Sequence, residues 1–204
     1  TSDSETLPAA SLASLTANGA VVAPSSKALR ITQDRVLEKS FARDAGIGTV
    51  DFFEINSVAD LEAAMRASPT PEALLKTRRE GYDGKGQVWV RSPDEVDPAY
   101  ASLGGRPSIL EAKASFTREI SVVAARGWNG EIKTFPIGEN HHVGGILSTT
   151  LAPAQVSEAV TAEAHEIARK VLEGLDYVGV LAVELFVLPG DKLLLTEIAP
   201  RVHN

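Results

Sequence analysis

The stretch GVLAVELFVLPGDKLLLTEIAPR, residues 179–201, contains two apolar runs on either side of a Pro-Gly-Asp-Lys turn. Two short apolar runs around such a turn predict an antiparallel β-hairpin. If Gly190 and Asp191 are the two loop residues, counting outward along both strands pairs Glu184 with Glu197. The hairpin therefore brings two carboxylates opposite each other in strands that are otherwise apolar.

The opposed carboxylates need an explanation, because directly opposed side chains have Cβ atoms about 4.5–5.5 Å apart and like charges repel at that distance. A positive group between Glu184 and Glu197 removes the repulsion, and Mg²⁺ is commonly held by carboxylates and completed by substrate phosphates. Alternatives remain open here. The same register pairs Phe186 with Leu195, and it slips if the loop is longer. One strand face could be solvated, or the two carboxyl groups could share a proton.

The composition restricts the class of protein. A chain of 204 residues with 44% apolar residues can bury a core as one large domain or as two small lobes. No window approaches the roughly 20 apolar residues that span a bilayer, so no membrane partner is expected. The net charge of -7 argues against general nucleic-acid binding. The lack of cysteine excludes disulfides and thiolate metal sites within the sequence and fits a reducing compartment, with the cytoplasm as the default.

Hydrophobic periodicity predicts a mixed α/β chain of the α+β type. Helices are predicted from an alanine-rich start to Ala17 and at residues 32–45, 57–68 and 153–175. Ser57 is the predicted N-cap of the third helix. Strands are predicted ahead of the final hairpin at residues 20–23, 49–53, 73–76, 87–90, 108–111, 119–125 and 131–136.

A second stretch, KTRREGYDGKGQVWV at residues 76–90, places three glycines and several basic residues between two predicted strands. A Rossmann or Walker loop joins a strand to a helix, whereas this loop joins strand to strand. Glycines expose backbone N–H groups, and basic side chains add positive charge, so the loop can close over a polyphosphate. The basic residues are Lys76, Arg78, Arg79 and Lys85. The alternative is a solvated hairpin tip.

The order of six segments resembles the ATP-grasp superfamily and, within it, the 5-(carboxyamino)imidazole ribonucleotide synthetases of purine biosynthesis. The segments are DRVLEKSFARDAGI, KTRREGYDGKGQ, FTREISVVAARGWNGEI, ENHHVGGIL, LDYVGVLAVELFV and TEIAPRVHN. The resemblance covers essentially the whole chain. It implies an ATP-grasp fold in which two lobes with antiparallel sheets enclose the nucleotide. The implied division is 1–33 as the tail of a preceding α/β domain and linker, 34–113 as a lid lobe and 114–204 as a palm lobe.

The resemblance also implies roles for individual residues in binding ATP and Mg²⁺. Phosphate contacts are assigned to Arg35, Lys76 and the loop residues Gly81, Tyr82, Asp83, Gly84, Lys85, Gly86 and Gln87. The adenine edge is assigned to the backbone of Glu111, Ala112, Lys113 and Ala114, and the ribose hydroxyls to Glu119, while His142 matches a histidine at the nucleotide site. Mg²⁺ is assigned to Glu184 and Glu197, in agreement with the hairpin register, with Thr196 beside them. Arg201 and Asn204 match catalytic positions that bind phosphate or the intermediate.

The implied activity is that of an ATP-dependent carbon-nitrogen ligase. ATP phosphorylates bicarbonate to carboxyphosphate, and the exocyclic amine of aminoimidazole ribonucleotide captures the carboxyl group. These small molecules are the implied partners, and the resemblance suggests a homodimer. No side-chain nucleophile is required, which agrees with the absence of cysteine. Two alternatives remain, namely another ATP-grasp carboxylate-amine ligase and a non-catalytic nucleotide-binding module.

The sequence departs from the family's pattern at several positions. Thr196 stands where the family commonly has Asn, and Val202 stands where it has Pro. Lys113 and Ala114 replace an apolar pair, which adenine contacts made by the backbone tolerate because peptide groups do not depend on the side chain. The resemblance also implies that these 204 residues lack the N-terminal domain and the C-terminal segment of family members. We therefore expect these 204 residues to bind the nucleotide even where they do not turn it over.

Overall fold

The computed structural model describes residues 6–81 and 85–201. Within them the helices are α1 (Ala9–Ala17), α2 (Ser26–Thr32), α3 (Arg35–Asp44), α4 (Val58–Ala67), α5 (Val96–Ser102) and α6 (Glu158–Gly174), with a 3-10 turn at Pro93–Glu95. The strands are β1 (Phe52–Ile55), β2 (Ala73–Thr77), β3 (Gln87–Val90), β4 (Ser108–Ala112), β5 (Arg118–Arg126), β6 (Ile132–Thr134), β7 (Gly138–Val143), β8 (Ile146–Leu151), β9 (Gly179–Val187) and β10 (Leu193–Ala199). The predicted mixed α/β class is confirmed.

The strands form two antiparallel sheets, as the sequence resemblance implies. The small sheet has the order β1-β4-β2-β3, and the large sheet has the order β10-β9-β5-β7-β8 with β6 paired to β5. Helices α4 and α5 bury a core with the small sheet: Ile55, Leu61, Ala64, Ala73, Leu75, Val90, Val96, Ala99 and Leu110. Each sheet therefore has its own hydrophobic core.

Helix α6 covers one face of the large sheet. Its N-cap Ser157 accepts a hydrogen bond from Val160 N, and its buried side chains recur at helical spacing: Val160, Ala164, Ile167, Ala168, Val171 and Leu172. Fully burying a large aliphatic side chain stabilises a fold by roughly 1.5–3 kcal/mol. Helices α2 and α3 add Ala28, Ile31 and Ala42 to the same core. The domain boundaries after residues 33 and 113 stay predictions.

Most of the remaining predicted elements are confirmed to within a few residues. Helix α4 begins at its predicted cap, because the Ser57 hydroxyl accepts a hydrogen bond from Asp60 N. The Asp60 carboxylate accepts one in return from Asn56 N, 3.0 Å away, so that two otherwise unpaired donors of the helix start are satisfied. The strand predicted at 49–53 begins later, at Phe52, because residues 47–49 first meet β10.

The prediction of a strand at residues 20–23 is wrong. This segment links α1 to α2 in an irregular conformation without strand pairing, and Val21 is 81% exposed although Ala23 is buried. The segment leads into Pro24, which has no N–H to donate to a β-ladder. The long helix α6 begins at Glu158 rather than near residue 153, because Ser157 supplies the N-cap.

The sequence does not predict four elements of the described residues: α2, α5, β7 and β8. Helices α2 and α5 are seven residues long, which is too short for a helical repeat to show. Strands β7 and β8 form a hairpin around Gly144 and Gly145, whose positive φ values of 61° and 80° suit a tight turn. The sequence of β7, GENHHV, is mostly polar and lacks the alternation of apolar and polar residues that predicts a strand.

The predicted hairpin of β9 and β10 is confirmed, and Glu184 lies opposite Glu197 as the count predicts. Nearer the turn the count is wrong by one residue, because Phe186 pairs with Leu194 and not with the residue after it. The reason is the loop, which spans residues 189–191 and so contains three residues instead of two. A longer loop shifts the register, which is one of the alternatives left open by the sequence.

A β-bulge at Thr196 compensates for the longer loop. Leu193 and Leu195 are buried in the core with α6, and strict alternation would place residue 197 on that same face. The extra residue reverses the alternation, so that Glu197 is exposed on the face that carries Glu184. The bulge is what brings the two carboxylates to one face of the sheet.

Candidate functional site

The face of the large sheet opposite α6, called the open face here, carries the predicted acidic residues. Glu184 on β9 pairs with Glu197 on β10 and, on its other side, with Ser121 on β5. Glu119, two residues before Ser121, lies on the same face because side chains alternate along a strand. The structure thus brings together three predicted site carboxylates: Glu119, Glu184 and Glu197.

The pair of Glu184 and Glu197 suits a hard cation whose other ligands are supplied by water molecules or by substrate. Within residues 6–81 and 85–201, no group of three or more His, Asp and Glu side chains is arranged to hold a metal ion. A Mg²⁺ ion takes oxygen ligands and is usually bound through one or two carboxylates together with phosphates. Two carboxylates on adjacent strands fit that chemistry.

Glu119 is held by the predicted histidine. His142 Nδ1 lies 2.7 Å from Glu119 Oε2, across the pairing of β5 and β7. Burial raises the pKa of the Glu119 carboxyl, the His142 charge lowers it, and the Glu184 charge raises it again, with a net pKa above the ordinary value. The charge of Glu184 therefore acts on Glu119, and His142 orients the Glu119 carboxylate.

The open face also offers an apolar surface that the sequence analysis does not single out. The rings of Phe116 and Phe186 stack with centroids 4.0 Å apart and an interplanar angle of 5°. Phe186 pairs with Glu119 on β5 and with Leu194 on β10, so it adjoins the acidic residues. Alternation along β9 was the available signal, because Phe186 has the same parity as Glu184.

The glycine-rich loop connects two antiparallel strands, as predicted. Strands β2 and β3 pair from Lys76 opposite Gln87, and Thr77 N donates to Gly86 O at 2.8 Å. Gly86 has φ +71° and a Cβ there would lie 2.8 Å from Thr77 Oγ1, so this position requires glycine. The predicted loop residues Tyr82, Asp83 and Gly84 lie outside the described residues, as do Val202 and Asn204.

Arg35 anchors the start of this loop. Its guanidinium donates to Thr77 O at 3.2 Å and to Gly81 O at 3.1 Å, while its own backbone N–H donates to Arg78 O at 3.0 Å. Arg35 is the first residue of α3, so the loop is tied to the N-terminus of that helix. The sequence resemblance assigns Arg35 to phosphate, and the structure shows it in contact with the start of the glycine-rich loop.

Asp34, which the sequence analysis does not select, completes the anchor. Its carboxylate caps α3 and also accepts hydrogen bonds from Arg78 Nε at 2.6 Å and Arg79 Nη2 at 3.1 Å. Burial raises the pKa of Asp34, but hydrogen bonds from Arg78 and Leu37 N, with the charges of Arg78 and Arg79, outweigh burial and lower it. The ionised carboxylate therefore fixes the basic end of β2.

Cavities lie beside the loop anchor and beside residues 46–53. One of about 480 Å³ lies beside the loop anchor and is lined by Asp34, Thr77, Arg78, Arg79, Glu80, Arg106 and Pro107. The other, of about 630 Å³, is lined chiefly by residues 46–53 and includes none of the predicted site residues. The first cavity extends the basic character of the loop.

Lys76 and Glu111, both predicted site residues, form an ion pair in the small sheet. Lys76 Nζ lies 2.6 Å from Glu111 Oε2, and the buried Lys39 Nζ lies 3.4 Å from Glu111 Oε1. Burial raises the pKa of Glu111, but the charges of Lys39 and Lys76 and the Lys76 hydrogen bond lower it to about 2. Glu111 is therefore ionised at neutral pH, and its side chain is engaged with two lysines.

The predicted adenine segment follows Glu111 along the chain. Ala112 N donates to Asp51 O at 2.9 Å, and Lys113 N donates to Thr70 Oγ1 at 3.1 Å. These two N–H groups are engaged within the protein.

Glu38 is a second buried carboxyl group that the sequence analysis misses. Its Oε1 accepts a 2.6 Å hydrogen bond from Ile198 N, next to Glu197. Burial raises the pKa of Glu38 to about 8, with the Lys39 charge opposing and the Glu197 charge adding to the effect. Glu38 and Lys39 lie on α3 where an amphipathic pattern predicts a partly solvated surface, so local sequence carries no signal for their burial.

The predicted Lys85 and Arg201 lie within the described residues. Lys85 immediately precedes Gly86 at the end of the loop, and Arg201 follows the end of β10 at Ala199 by two positions. Thr196, predicted to lie beside the metal, is the bulged residue of β10. None of the described helices is long and apolar enough to cross a membrane.

Comparison with known proteins agrees with this geometry. Residues 40–204 match the family model described as the ATP-grasp domain. The chain is 48% identical over 183 residues to N5-carboxyaminoimidazole ribonucleotide synthase of Pseudomonas aeruginosa, covering 90% of this chain and 50% of that protein. The chain spans about half the length of the curated relatives it matches.

Solved structures give the same result for the fold. A crystal structure of an N5-carboxyaminoimidazole ribonucleotide synthetase in complex with ADP matches with a TM-score of 0.93 and 35% identity, covering 100% of this chain and 54% of that one. An Aspergillus clavatus synthase solved with ADP and 5-aminoimidazole ribonucleotide matches with a TM-score of 0.88 and 30% identity, covering 98% and 52%. The predicted ATP-grasp fold is confirmed.

Proposed function

This chain belongs to the ATP-grasp family, and we propose that it binds ATP with Mg²⁺ between its two sheets and serves the carboxylation of aminoimidazole ribonucleotide. The observation that carries the proposal is the opposition of Glu184 and Glu197 on the open face. The anchored phosphate loop of the small sheet supports it from the other side. The names of the matched relatives support the choice of acceptor.

The acidic pair is assigned to the metal. Glu184 and Glu197 would each contribute carboxylate oxygen to Mg²⁺, because two directly opposed carboxylates repel unless a cation lies between them. When bound, Mg²⁺ supplies neutralisation of charge on the phosphates that it contacts. Ser121, opposite Glu184 on β5, offers a hydroxyl beside the pair.

The nucleotide is assigned to the surfaces on both sides of the acidic pair. Lys76 and the loop that Arg35 holds would contact phosphate oxygens, through their charges and backbone N–H groups. Glu119, oriented by His142, would accept hydrogen bonds from the ribose hydroxyls. The segment from Glu111 to Ala114 would meet the adenine edge, and the aromatic pair on the open face offers it an apolar surface.

The proposed reaction transfers the γ-phosphoryl group of ATP to a bicarbonate oxygen, which gives carboxyphosphate and ADP. The exocyclic amine of aminoimidazole ribonucleotide then attacks the carboxyl carbon, the bond from that carbon to the phosphate oxygen breaks, and the amine loses a proton. The phosphate leaves with the electron pair of the broken bond. No side-chain nucleophile takes part, so positioning and exclusion of water by the loop are the contributions required of the protein. Arg201 and Asn204 are assigned to the phosphate or the intermediate.

Three further assignments belong to the same proposal. A cytoplasmic location is proposed, supported by the proposed role in purine biosynthesis and by a sequence free of cysteine. A homodimer is proposed from the resemblance. Nucleic acid is not expected as a partner, because the net charge is -7, and a membrane is not expected, because no sequence window approaches the roughly 20 apolar residues that span a bilayer.

Calorimetric titration of the chain with ATP, with and without Mg²⁺, tests the site. Binding should require Mg²⁺ and weaken by more than about a hundredfold in Glu184→Gln and Glu197→Gln, which keep the side-chain shape but remove the charge. Glu166→Gln is the matched control, since Glu166 lies on α6 at the other face and pairs with Arg169. Binding that is independent of Mg²⁺ and of both substitutions would refute the metal assignment.

The acceptor is tested separately by following ADP formation. Addition of bicarbonate and aminoimidazole ribonucleotide together should stimulate ATP consumption, and omission of either should abolish the stimulation. Stimulation by a different amine would favour another carboxylate-amine ligase. ATP binding without Mg²⁺ dependence, with no turnover under any of these conditions even when the segments that family members have beyond these 204 residues are supplied, would favour a non-catalytic nucleotide-binding module.

A further inference from the structure

Lys39 on α3 is a buried lysine whose side chain is only 1% exposed. Its ammonium group lies 2.7 Å from Thr196 O, 3.5 Å from Leu195 O and 3.4 Å from Glu111 Oε1. An ammonium group has three N–H donors, and three acceptors surround this one. Removing a charged group from water costs several kcal/mol unless it is paired and hydrogen-bonded, so each acceptor matters to the position of Lys39.

The first end of this arrangement is the bulge of β10. A bulge leaves the backbone of its extra residue outside the regular ladder, and a buried carbonyl without a donor is costly. Lys39 supplies the donor, because its shortest contact is to the carbonyl of Thr196. The bulge reverses the alternation of β10 and brings Glu197 to the open face. Lys39 therefore holds the backbone feature on which the orientation of Glu197 depends.

The second end is the small sheet. Glu111 offers one carboxylate oxygen to Lys39 and the other to Lys76, at 3.4 Å and 2.6 Å. Glu111 lies beside β2, because Glu111 pairs with Leu74 and Lys76 pairs with Ile109. A carboxylate shared between two lysines restrains both, since Lys76 donates a hydrogen bond to one oxygen and Lys39 forms an ion pair with the other oxygen of the same planar group. Lys39 therefore also acts on Lys76 through Glu111.

These contacts form a continuous path from Lys76 through Glu111 and Lys39 to the bulge and Glu197. We propose that Lys39 is a positioning residue that sets the phosphate-binding cation Lys76 and the metal-binding carboxylate Glu197 relative to each other. Lys39 contacts neither ATP nor Mg²⁺ in this arrangement. The inference rests on the proposed function, in which Lys76 contacts the phosphates and Glu197 binds the metal of one MgATP.

The test is the Mg²⁺ dependence of ATP binding in Lys39→Met, a variant of similar length without the charge. The Mg²⁺ concentration for half-maximal ATP binding should rise at least about tenfold, the loss expected when hydrogen bonds from a charged group are removed. Lys133→Met, an exposed lysine on β6 paired with Glu131, is the matched control and should leave the value unchanged. A merely structural lysine would lower the melting temperature and leave the Mg²⁺ dependence of the folded fraction as it was.

Glu111→Gln provides a second route if Lys39→Met does not fold. It keeps the shape of the side chain and one acceptor oxygen for a lysine, replaces the other oxygen by an NH2 donor, and removes the charge that the two lysines share. A double-mutant cycle with Lys76→Met should then be non-additive in ATP affinity, because both changes break the same path. Additive effects would overturn the inference.

The outcomes separate the inference from the proposed function. If the unmodified chain fails to bind ATP with Mg²⁺, the proposed function is refuted and the inference with it. If the unmodified chain binds with Mg²⁺ dependence and folded Lys39→Met binds in the same way, only the inference is refuted. A raised Mg²⁺ requirement in Lys39→Met with unchanged Lys133→Met supports both.

Discussion

The two hairpins that supply the site are held in place by different forces. The hairpin of β9 and β10 is fixed by apolar packing, because Val183, Leu185 and Leu195 are buried in the core with α6. The hairpin of β2 and β3 is fixed at its loop by polar contacts from the start of α3, through Asp34 and Arg35. One hairpin presents carboxylates and the other presents cations, and each depends on α3 in its own way.

The comparison shows why the two halves of the site should respond differently to change. Moving the carboxylates of the large sheet requires repacking a core that also determines stability, so position and stability change together. Loosening the start of the glycine-rich loop requires only the loss of a few side-chain hydrogen bonds, which leaves both cores intact. Under the proposed function, the contacts at the loop can therefore change without moving the acidic pair.

The largest expected effect comes from the packed hairpin. Leu195→Ala should lower the free energy of unfolding by about 2–5 kcal/mol, the range for a large aliphatic side chain removed from a close-packed core. Chemical denaturation measures it. Leu151→Ala, on the edge strand β8 with half of its side chain exposed, is the control and should stay within about 1 kcal/mol. A small loss in Leu195→Ala would contradict the statement that packing fixes this hairpin.

The next effect is a pH dependence that differs in sign between the two hairpins. Glu38, which accepts from Ile198 N beside β10's Glu197, has a pKa raised from 4.5 to about 8. Between these values the folded chain keeps a proton that the unfolded chain releases, so the stabilising contribution is complete below pH 4.5 and is lost as the pH rises through about 8. Asp34 at the loop has a lowered pKa, so its contribution is lost only as the pH falls.

Glu38→Gln isolates this contribution, because Gln keeps an acceptor for Ile198 N and cannot ionise. The difference in unfolding free energy between Glu38→Gln and the unmodified chain should grow by about 1.4 kcal/mol per pH unit inside that window. The groups that face Glu38 are Arg35, Lys39 and Glu197, and none of them is changed by the substitution. Parallel stability curves from pH 5 to pH 8 would show that Glu38 ionises normally.

A smaller effect is expected at the loop anchor. Arg35→Met removes the donors to Thr77 O and Gly81 O, so the free energy of unfolding should fall by about 1–3 kcal/mol. Trypsin should cleave several-fold faster after Arg78 or Arg79, since the contacts that hold the start of the loop are gone. Arg169→Met, an exposed arginine of α6, is the control for the loss of a charge. Unchanged cleavage would mean that other contacts suffice to hold the loop.

The smallest effect compares one glycine from each hairpin. Gly190→Ala in the turn of β9 and β10 should cost about 1 kcal/mol, because φ is +81° but a Cβ meets no atom within 4 Å. Gly86→Ala should cost more, because φ is +71° and the new Cβ would lie 2.8 Å from Thr77 Oγ1. Thermal unfolding of the two variants measures the difference. Equal costs would show that Thr77 moves aside freely.

The fold could be predicted from the sequence where a pattern is local and long enough to repeat. Helix α4 with its cap Ser57 and the strands β2, β3 and β4 follow from periodicity and turn residues. Helix α2 and the polar strand β7 could not be predicted, because α2 has only seven residues and the sequence of β7, GENHHV, shows no alternation of apolar and polar residues.

The candidate site could likewise be predicted only where a local pattern shows it. The opposition of Glu184 and Glu197 follows from counting along the hairpin, although the count is correct only because a longer loop and a bulge cancel each other. The roles of Lys76, Glu119 and His142 came from the family resemblance rather than from periodicity. Lys39 could not be identified from its own segment, because its burial is decided by strands more than 60 residues away in sequence.

Because of the bulge at Thr196, the direction in which the later side chains of β10 point depends on the number of residues in the strand and not on the residue type at position 196. Removing one codon at position 196 would exchange the inner and outer faces of the rest of β10, so that Glu197 would turn towards the core and Ile198 towards solvent. Replacing the residue at 196 leaves that count unchanged, and its carbonyl still meets Lys39 whatever the side chain. An insertion or deletion at this position therefore abolishes the acidic pair in a single step, whereas a substitution there leaves both carboxylates on the same face.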